Sequence, residues 1–484
     1  MRTVKELRDA VTEGLRWVEK QPRVKEAEVY ASATYLNVQR ICYATNVPSN
    51  GLEEPKSEES YGLSVRVRFE DGRLGFGKED SALDRRGYGN AFLKAERNAV
   101  LDTDFHSLPS PLPASLRGKA RAPRNAFADK AIANLDDGKA IDKAYDCLGG
   151  AFEALARAER DLNITGELNF TVERMALANS NGVKAEEENT QALAALTTLL
   201  EGKPDIAGMD FDSNTHLKAL NARKTGFSSA EKALAMRGAK SIESGSYRAV
   251  LGRLAVTDLL HSRFEVGLNA VDEQATPFVG KLGRKLFSTQ LNLSDDALVS
   301  GAIGSRGYTD EGFAAGKTLL VKDGVLENFL SNDYYCKKFP DEKRYNPLNG
   351  YRRGRNYASD PGIHGTNLVV EPGSFSDEEL IREVRNGIYI GRIWYTYPVN
   401  GLASSDFTTT IRGDSYLIED GEIKSALTPN TCRVSDNFER VFKGVLGLGR
   451  KQRVTFAWGQ EPVVITPETA VESVKVERIA KGLY

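Results

Sequence analysis

The sequence is poor in the residues that form disulfides and bind metals. Its 484 residues include only four cysteines and four histidines. The cysteines are Cys42, Cys147, Cys336 and Cys432. They lie far apart and form no CxxC motif, which excludes a disulfide framework and favours a reducing compartment. We therefore expect a cytoplasmic protein.

Long apolar runs are missing as well. No run reaches the ~18 apolar residues that a membrane span requires, and the opening MRTVKELRDAVTEGLRWVEKQ contains neither an apolar h-region nor a signal-like cleavage site. The net charge is −2 and the pI about 6.3, so the chain lacks the basic footprint of a nucleic-acid-binding protein. We expect neither membrane nor nucleic acid as a partner.

The first half of the chain alternates between helical and strand-like patterns. Apolar residues recur at three- and four-residue steps over Val4–Val18 and predict an amphipathic helix. Asp71-Gly72 and Asn181-Gly182 predict tight hairpin turns between alternating segments. Two more helices and an irregular, proline-rich connector are predicted over Ala91–Val100, Ile141–Arg160 and Leu108–Arg124. We assign residues 1–240 to an α+β N-terminal domain with mixed helices and hairpins.

The second half, residues 241–484, is predicted to be a β-rich domain. It consists mostly of short apolar runs broken by Gly, Asp and Asn, beginning with a strand-like Ser246–Val256. Asp323-Gly324 and Asp420-Gly421 have the pattern of hairpin tips. One clear helix begins after Ser376, with Glu379 as its capping-box partner.

One stretch, TDLLHSRFEVGLNA over Thr257–Ala270, combines a helical pattern with two metal-ligand side chains. In a continuous helix His261 and Glu265 share one face. A catalytic zinc site needs about three protein ligands, so this pair requires a partner from elsewhere, such as His364. A satisfied polar pair or plain surface residues are the alternatives. The sequence has no HExxH pair and no GxSxG elbow, so Ser244, Ser246, Ser404 and Ser405 are predicted to be turn and cap serines.

A basic loop over Glu342–Asn356 is the second candidate site. It contains Arg352, Arg353 and Arg355 beside tyrosines. Arginines in such a loop bind peptide carboxylates, peptide backbone or a phosphate. An ordinary solvated loop explains the composition equally well, so both interpretations stay open.

Six segments of the chain follow one another in a distinctive order: Tyr61–Gly77, Ala82–Val100, Thr276–Asp296, Arg306–Lys338, Asn367–Ile390 and Asn400–Ile423. Their order resembles the TldD/PmbA (TldE) family of two-subunit peptide-processing metalloproteases. The resemblance is clearest in the C-terminal half and extends to the two N-terminal segments. The motif DEG at residues 310–312, followed later by the block GD…DGEI, is specific for this family when the two occur in this order.

The resemblance implies that LLHSRFEVGL occupies the place of the HExxxH zinc helix of the family's peptidase subunit. His261 then matches the first ligand, whereas Ser262 stands at the general-base Glu and Val266 at the second His. The C-terminal block that carries the family's Cys ligand has no Cys here. One remaining ligand does not hold zinc usefully, so the resemblance implies no catalytic residues and no metal in this chain.

What the resemblance implies is a TldE/PmbA-like subunit that pairs with a TldD-like chain and helps to enclose an unfolded peptide. Zinc, and with it the peptidase activity, is then expected in the partner subunit. The alternative is a homodimeric peptide-binding or scaffold protein that needs no protease partner.

Overall fold

The computed structural model describes residues 1–112, 126–156, 161–202, 205–341, 345–455, 457 and 462–479. The first half is built on a seven-stranded antiparallel sheet in the order β4-β3-β2-β1-β5-β6-β7. Its strands are β1 (Val24–Ala44), β2 (Lys56–Phe69), β3 (Arg73–Asp80), β4 (Val100–Leu101), β5 (Leu162–Asn179), β6 (Lys184–Leu200) and β7 (Ile206–Asn214).

Helices cover this sheet and close two apolar clusters. They are α1 (Val4–Val18), α2 (Arg85–Arg97), α3 (Lys130–Ala133), α4 (Asp137–Leu155) and α5 (Ala222–Ala235). The predicted amphipathic helix is confirmed, because α1 begins at a capping box of Thr3 and Glu6 and buries its apolar stripe. The predicted turns are confirmed as well: Gly72 has φ +85° and Gly182 φ +89°.

Helices α4 and α5 pack unusually closely. A Cβ atom on Gly226 of α5 would lie 1.8 Å from the Cys147 carbonyl oxygen of α4. The reciprocal contact is similar, since a Cβ on Gly150 would lie 2.0 Å from the Arg223 oxygen. Glycine at both positions lets the two backbones touch, which no larger residue permits.

The second half contains two larger sheets. A six-stranded sheet has the order β11-β10-β9-β14-β23-β22, and a nine-stranded sheet the order β16-β17-β20-β24-β8-β15-β18-β19, with β21 paired to β24. The strands, including the small β12–β13 pair, are β8 (Gly245–Leu251), β9 (Leu293–Asp296), β10 (Lys317–Lys322), β11 (Val325–Leu326), β12 (Gly350–Tyr351), β13 (Gly362–Ile363), β14 (Asn367–Val370), β15 (Gly387–Ile390), β16 (Ile393–Pro398), β17 (Asp406–Ile411), β18 (Ser415–Glu419), β19 (Glu422–Ala426), β20 (Cys432–Asn437), β21 (Val445–Leu448), β22 (Arg453–Thr455), β23 (Val463–Thr466) and β24 (Thr469–Arg478).

Short helices complete this half. They are α6 (Arg253–Arg263), α7 (Leu268–Asp272), α8 (Asp333–Lys338), α9 (Asp377–Val384) and α10 (Phe438–Lys443). The apolar side of α6 shares one core with strands of both sheets. The α+β fold with a β-rich C-terminal half is therefore confirmed, and so are the hairpin tips at Asp323-Gly324 and Asp420-Gly421 and the capping box of Ser376 with Glu379. The domain boundary between residues 240 and 241 stays a prediction.

Several predicted bounds are corrected by the structure. The strand-like Ser246–Val256 is wrong at its end, because β8 stops at Leu251 and helix α6 begins at Arg253. Helices α2 and α4 begin earlier than predicted because Asp84 and Asp136 cap them. The predicted connector, Leu108–Arg124, lies mostly outside the described residues. Residues 157–160 of the helix predicted over Ile141–Arg160 also lie outside them. No helix of the described chain is long and apolar enough to cross a membrane.

Candidate functional site

Helix α6 bridges the edges of the two C-terminal sheets. Strand β16 ends the nine-stranded sheet, strand β22 ends the six-stranded sheet, and α6 packs on both. Two neighbouring residues of the helix make the connection. Thr257 shares a short hydroxyl hydrogen bond with Thr455 of β22, and Asp258 lies beside Thr396 of β16. The candidate site is therefore a helix flanked by two edge strands.

Helix α6 ends before Glu265. Its last residue is Arg263, and Phe264 leaves the helical conformation with φ −98° and ψ 59°. The Phe264 ring packs against Phe278, Phe287 and Phe438, with ring centroids 5.5, 6.2 and 6.2 Å away. The expectation that His261 and Glu265 share a helical face is wrong. The packing of Phe264 in this aromatic cluster ends the helix before Glu265, so Glu265 is not part of it.

The side chains of His261, Ser262 and Val266, at the three positions compared with HExxxH, lie in different environments. His261 is half-buried in the last turn of α6. The Ser262 hydroxyl donates to the Asp258 carbonyl oxygen at 2.5 Å, within the helix. Val266 is 3% exposed and belongs to the apolar core. A buried isopropyl group at the second ligand position offers nothing to a metal ion.

These residues do not fit a zinc ion. Among the residues that the structure describes, no group of three or more His, Cys, Asp and Glu side chains lies together as a metal site would require. Glu265 is exposed beyond the helix, where its carboxylate accepts the Gly267 N–H at 2.9 Å. His364 follows β13, and its backbone N–H donates to the backbone carbonyl oxygen of Asn349. The structure does not assemble a rebuilt site from His261, Glu265 and His364.

Sequence reasoning missed two charged groups, one on α6 and one at the start of β16. Asp258 is 7% exposed, and its Oδ1 has no hydrogen-bond partner within the described chain. Burial raises the pKa of Asp258 to about 6, against the opposing effects of Thr396 and Arg392. Arg392 immediately precedes β16 and lies over the Trp394 ring at 5.7 Å. Burial and the neighbouring Arg412 lower the pKa of Arg392.

The loop after β16 is tied to the end of α6. The Arg263 guanidinium donates to the Ser404 carbonyl oxygen. Ser404 donates to Asp406 at 2.9 Å, and Ser405 donates to Glu439 at 2.5 Å. Both serines thus serve the loop structure, as predicted from the missing nucleophile motif.

The basic loop has two inward arginines and one outward arginine. Arg352 and Arg355 are each 1% exposed, whereas Arg353 is exposed. Arg352 pairs with Glu28 at 3.2 Å, and Arg355 pairs with Glu187 at 2.8 Å. Since Glu28 and Glu187 belong to the seven-stranded sheet, the loop joins the two halves of the chain. Binding of a substrate by these arginines stays a prediction, and Arg353 is the one whose side chain faces outward.

A second set of buried groups stands at the same junction. The single O–H of Tyr30 in β1 lies within hydrogen-bond distance of Asp310 Oδ1, at 3.3 Å, and of the Arg355 carbonyl oxygen, at 3.0 Å. Glu311 is 2% exposed and accepts the Asp333 N–H at 2.9 Å. Burial and the Asp333 carboxylate raise the pKa of Glu311 to about 8. The contacts of Tyr30 therefore add a further link between the two halves.

Comparison with known protein families supports the same architecture. Residues 244–478 match the model of the PmbA/TldA metallopeptidase C-terminal domain. This span contains helix α6, both C-terminal sheets and the basic loop.

Individual relatives match over most of the chain. An uncharacterized protein of Methanocaldococcus jannaschii is 26% identical over 412 residues, which cover 84% of this chain and 89% of the relative. A metalloprotease of the same organism is 23% identical over 401 residues, covering 76% and 84% of the two chains. The crystal structure of TldE from Thermococcus kodakarensis superposes with a TM-score of 0.82 at 20% identity, covering 97% of this chain and all of that one. At that identity the structural likeness shows the fold.

Proposed function

The chain belongs to the TldD/PmbA family, and from this membership we propose that it is a TldE/PmbA-like subunit of a two-component zinc metalloprotease. The family resemblance inferred from the sequence is thereby confirmed. In this proposal the subunit helps to enclose an unfolded or leader peptide in the cytoplasm. A TldD-like partner supplies the zinc and the peptidase chemistry.

The observation that carries the proposal is which side chains helix α6 and the residues after it place at the expected ligand and base positions. The family resemblance places α6 where the peptidase subunit has its zinc helix, but here Ser262 donates to its own helix and Val266 is buried in the core. A serine hydroxyl at the position of the general base does not serve to take a proton from a zinc-bound water. A chain of this kind contributes walls and contacts to a peptide site, and we assign it that role. The edge strands β16 and β22 beside α6 suit main-chain capture of an extended peptide.

The proposal is tested by reconstitution. The purified chain, a TldD-like chain from the same organism and the mixture are each assayed for cleavage of an unstructured peptide. We expect cleavage by the mixture, inhibition by a zinc chelator, and none by this chain alone. Zinc-dependent cleavage by this chain alone would contradict the proposal, and metal analysis of the same samples locates the zinc.

Light scattering separates the subunit from the alternative homodimeric scaffold. A subunit of a two-component protease forms a mixed complex when the TldD-like chain is added. A stable self-dimer that forms no complex with the TldD-like chain and still binds the peptide would favour the scaffold.

A further inference from the structure

We propose that Asp258 and Arg392 form a main-chain anchor for an extended peptide, holding one of its peptide groups beside the bulge of edge strand β16. The inference rests on the proposed peptide-binding function and names the residues that perform it. Asp258 would accept the peptide N–H, and Arg392 would donate to a neighbouring peptide carbonyl oxygen.

The first observation is an incomplete polar pair. Asp258 Oδ1 has no hydrogen-bond partner among the described residues although the side chain is more than nine-tenths buried. A buried carboxylate oxygen without a partner is costly, so such an atom calls for a ligand group. The charges of Arg392 and Asp258 act on each other, but the two side chains form no salt bridge among the described residues. A peptide group that bonds to both would complete this acceptor and donor pair.

The second observation is the strand beside them. Strand β16 has β17 on one side and no neighbouring strand on the other among the described residues. The pairing of β16 with β17 shifts register between Trp394 and Tyr397, which marks a bulge at Tyr395 and Thr396. Bulges at sheet edges interrupt pairing and redirect side chains, and they recur beside active sites. The interrupted pairing lies next to Asp258, whose side chain contacts Thr396.

The third observation is the surface that continues from the bulge. Four of the exposed large apolar side chains of the chain, Tyr395, Tyr397, Val399 and Leu402, lie within eight consecutive positions. Exposed aromatic groups clustered in this way are typical of a contact surface. They would contact the side chains of a peptide whose backbone is held by Asp258 and Arg392. The recognised chemistry is then an unfolded peptide, read through its backbone with apolar side chains favoured.

The test measures the anisotropy of a fluorescein-labelled unstructured peptide, titrated with the chain alone and with the chain in complex with its TldD-like partner. Asp258→Asn preserves the side-chain shape and removes the charge, and Arg392→Met preserves most of the stem. Each is expected to weaken binding about tenfold, the effect of losing one hydrogen bond to a charged group. Arg248→Met is the matched control, because Arg248 pairs with Glu383 at 3.4 Å and its strand β8 is separated from β16 by three strands of the same sheet; it should leave the affinity unchanged.

A second probe tests the main-chain contact without changing the protein. The same peptide N-methylated at alternate residues cannot donate those amide hydrogens, and we expect it to bind about tenfold more weakly to the wild type. The difference between the two peptides should shrink in the Asp258→Asn variant.

The outcomes separate this inference from the proposed function. If the wild type binds the peptide, and both variants and the N-methylated peptide bind as tightly, the anchor is wrong and the proposed function stands. If neither the chain nor the complex binds the peptide, both are wrong. If the variants lower the mass of the assembly in light scattering but not the peptide affinity, β16 pairs with another subunit and the anchor is again wrong.

Discussion

At the residue scale, Glu311 is the side chain with the clearest consequence for pH dependence. It is buried where the two halves meet, next to the Asp333 carboxylate, and its pKa is raised to about 8. A carboxyl group whose pKa is higher in the folded than in the unfolded protein favours folding when it is protonated. That contribution is complete below the unfolded pKa of about 4.5 and is lost as the pH rises through about 8.

We therefore expect Glu311→Gln to remove part of this pH dependence. The amide oxygen of Gln still accepts the Asp333 N–H, whereas no negative charge develops. The variant should become more stable relative to the wild type as the pH rises from about 5 to about 8. Urea unfolding midpoints across this range measure the difference. Glu371→Gln, at an exposed position, is the control; a constant difference for Glu311→Gln at all pH values would contradict the assignment.

At the element scale, the contact between α4 and α5 depends on glycine. Gly226→Ala would place a methyl group 1.8 Å from the Cys147 carbonyl oxygen, so the helices must separate. We expect a loss of about 1–3 kcal/mol in the free energy of unfolding, the usual cost of overpacking.

The same helix pair offers a matched control. A Cβ on Gly149 of α4 would lie 3.5 Å from the Arg223 side chain, an ordinary contact. Gly149→Ala should stabilise the protein by up to about 1 kcal/mol, because alanine favours the helix. Denaturant unfolding of both variants tests the contact, and equal effects at the two positions would show that the close approach does not matter.

At the scale of the whole molecule, buried ion pairs connect the two halves. Arg355 bonds Glu187 of β6 at 2.8 Å and lies 3.3 Å from Asp310. Arg355→Met would leave both carboxylates buried without their cation, which costs about 3–5 kcal/mol. Arg353→Met, two residues away and exposed, should change stability by less than about 0.5 kcal/mol.

Calorimetry of these two variants distinguishes the roles within the basic loop. We expect a clear drop in melting temperature for Arg355→Met and almost none for Arg353→Met. A similar drop for both would mean that burial of Arg355 is not what joins the halves. Measuring peptide affinity of Arg353→Met in the same series tests the remaining substrate-binding prediction for this loop.

The sequence by itself determined the features that depend on near neighbours. The apolar stripe of α1, the Asp-Gly and Asn-Gly turns and the capping box before α9 were all predicted, because spacing and φ preference act over a few residues. The degenerate motif at His261, Ser262 and Val266 was also visible in the sequence.

Only the tertiary structure decided where α6 ends and which charges are buried. Phe264 stops the helix because it meets Phe278, Phe287 and Phe438, of which Phe438 is distant in sequence. Arg352 and Arg355 turn inward because their carboxylate partners lie on strands more than a hundred residues away. Asp258 and Arg392 become neighbours, without an ion pair, only where α6 packs on β16. Such contacts depend on how the sheets assemble, and no local pattern of residues specifies them.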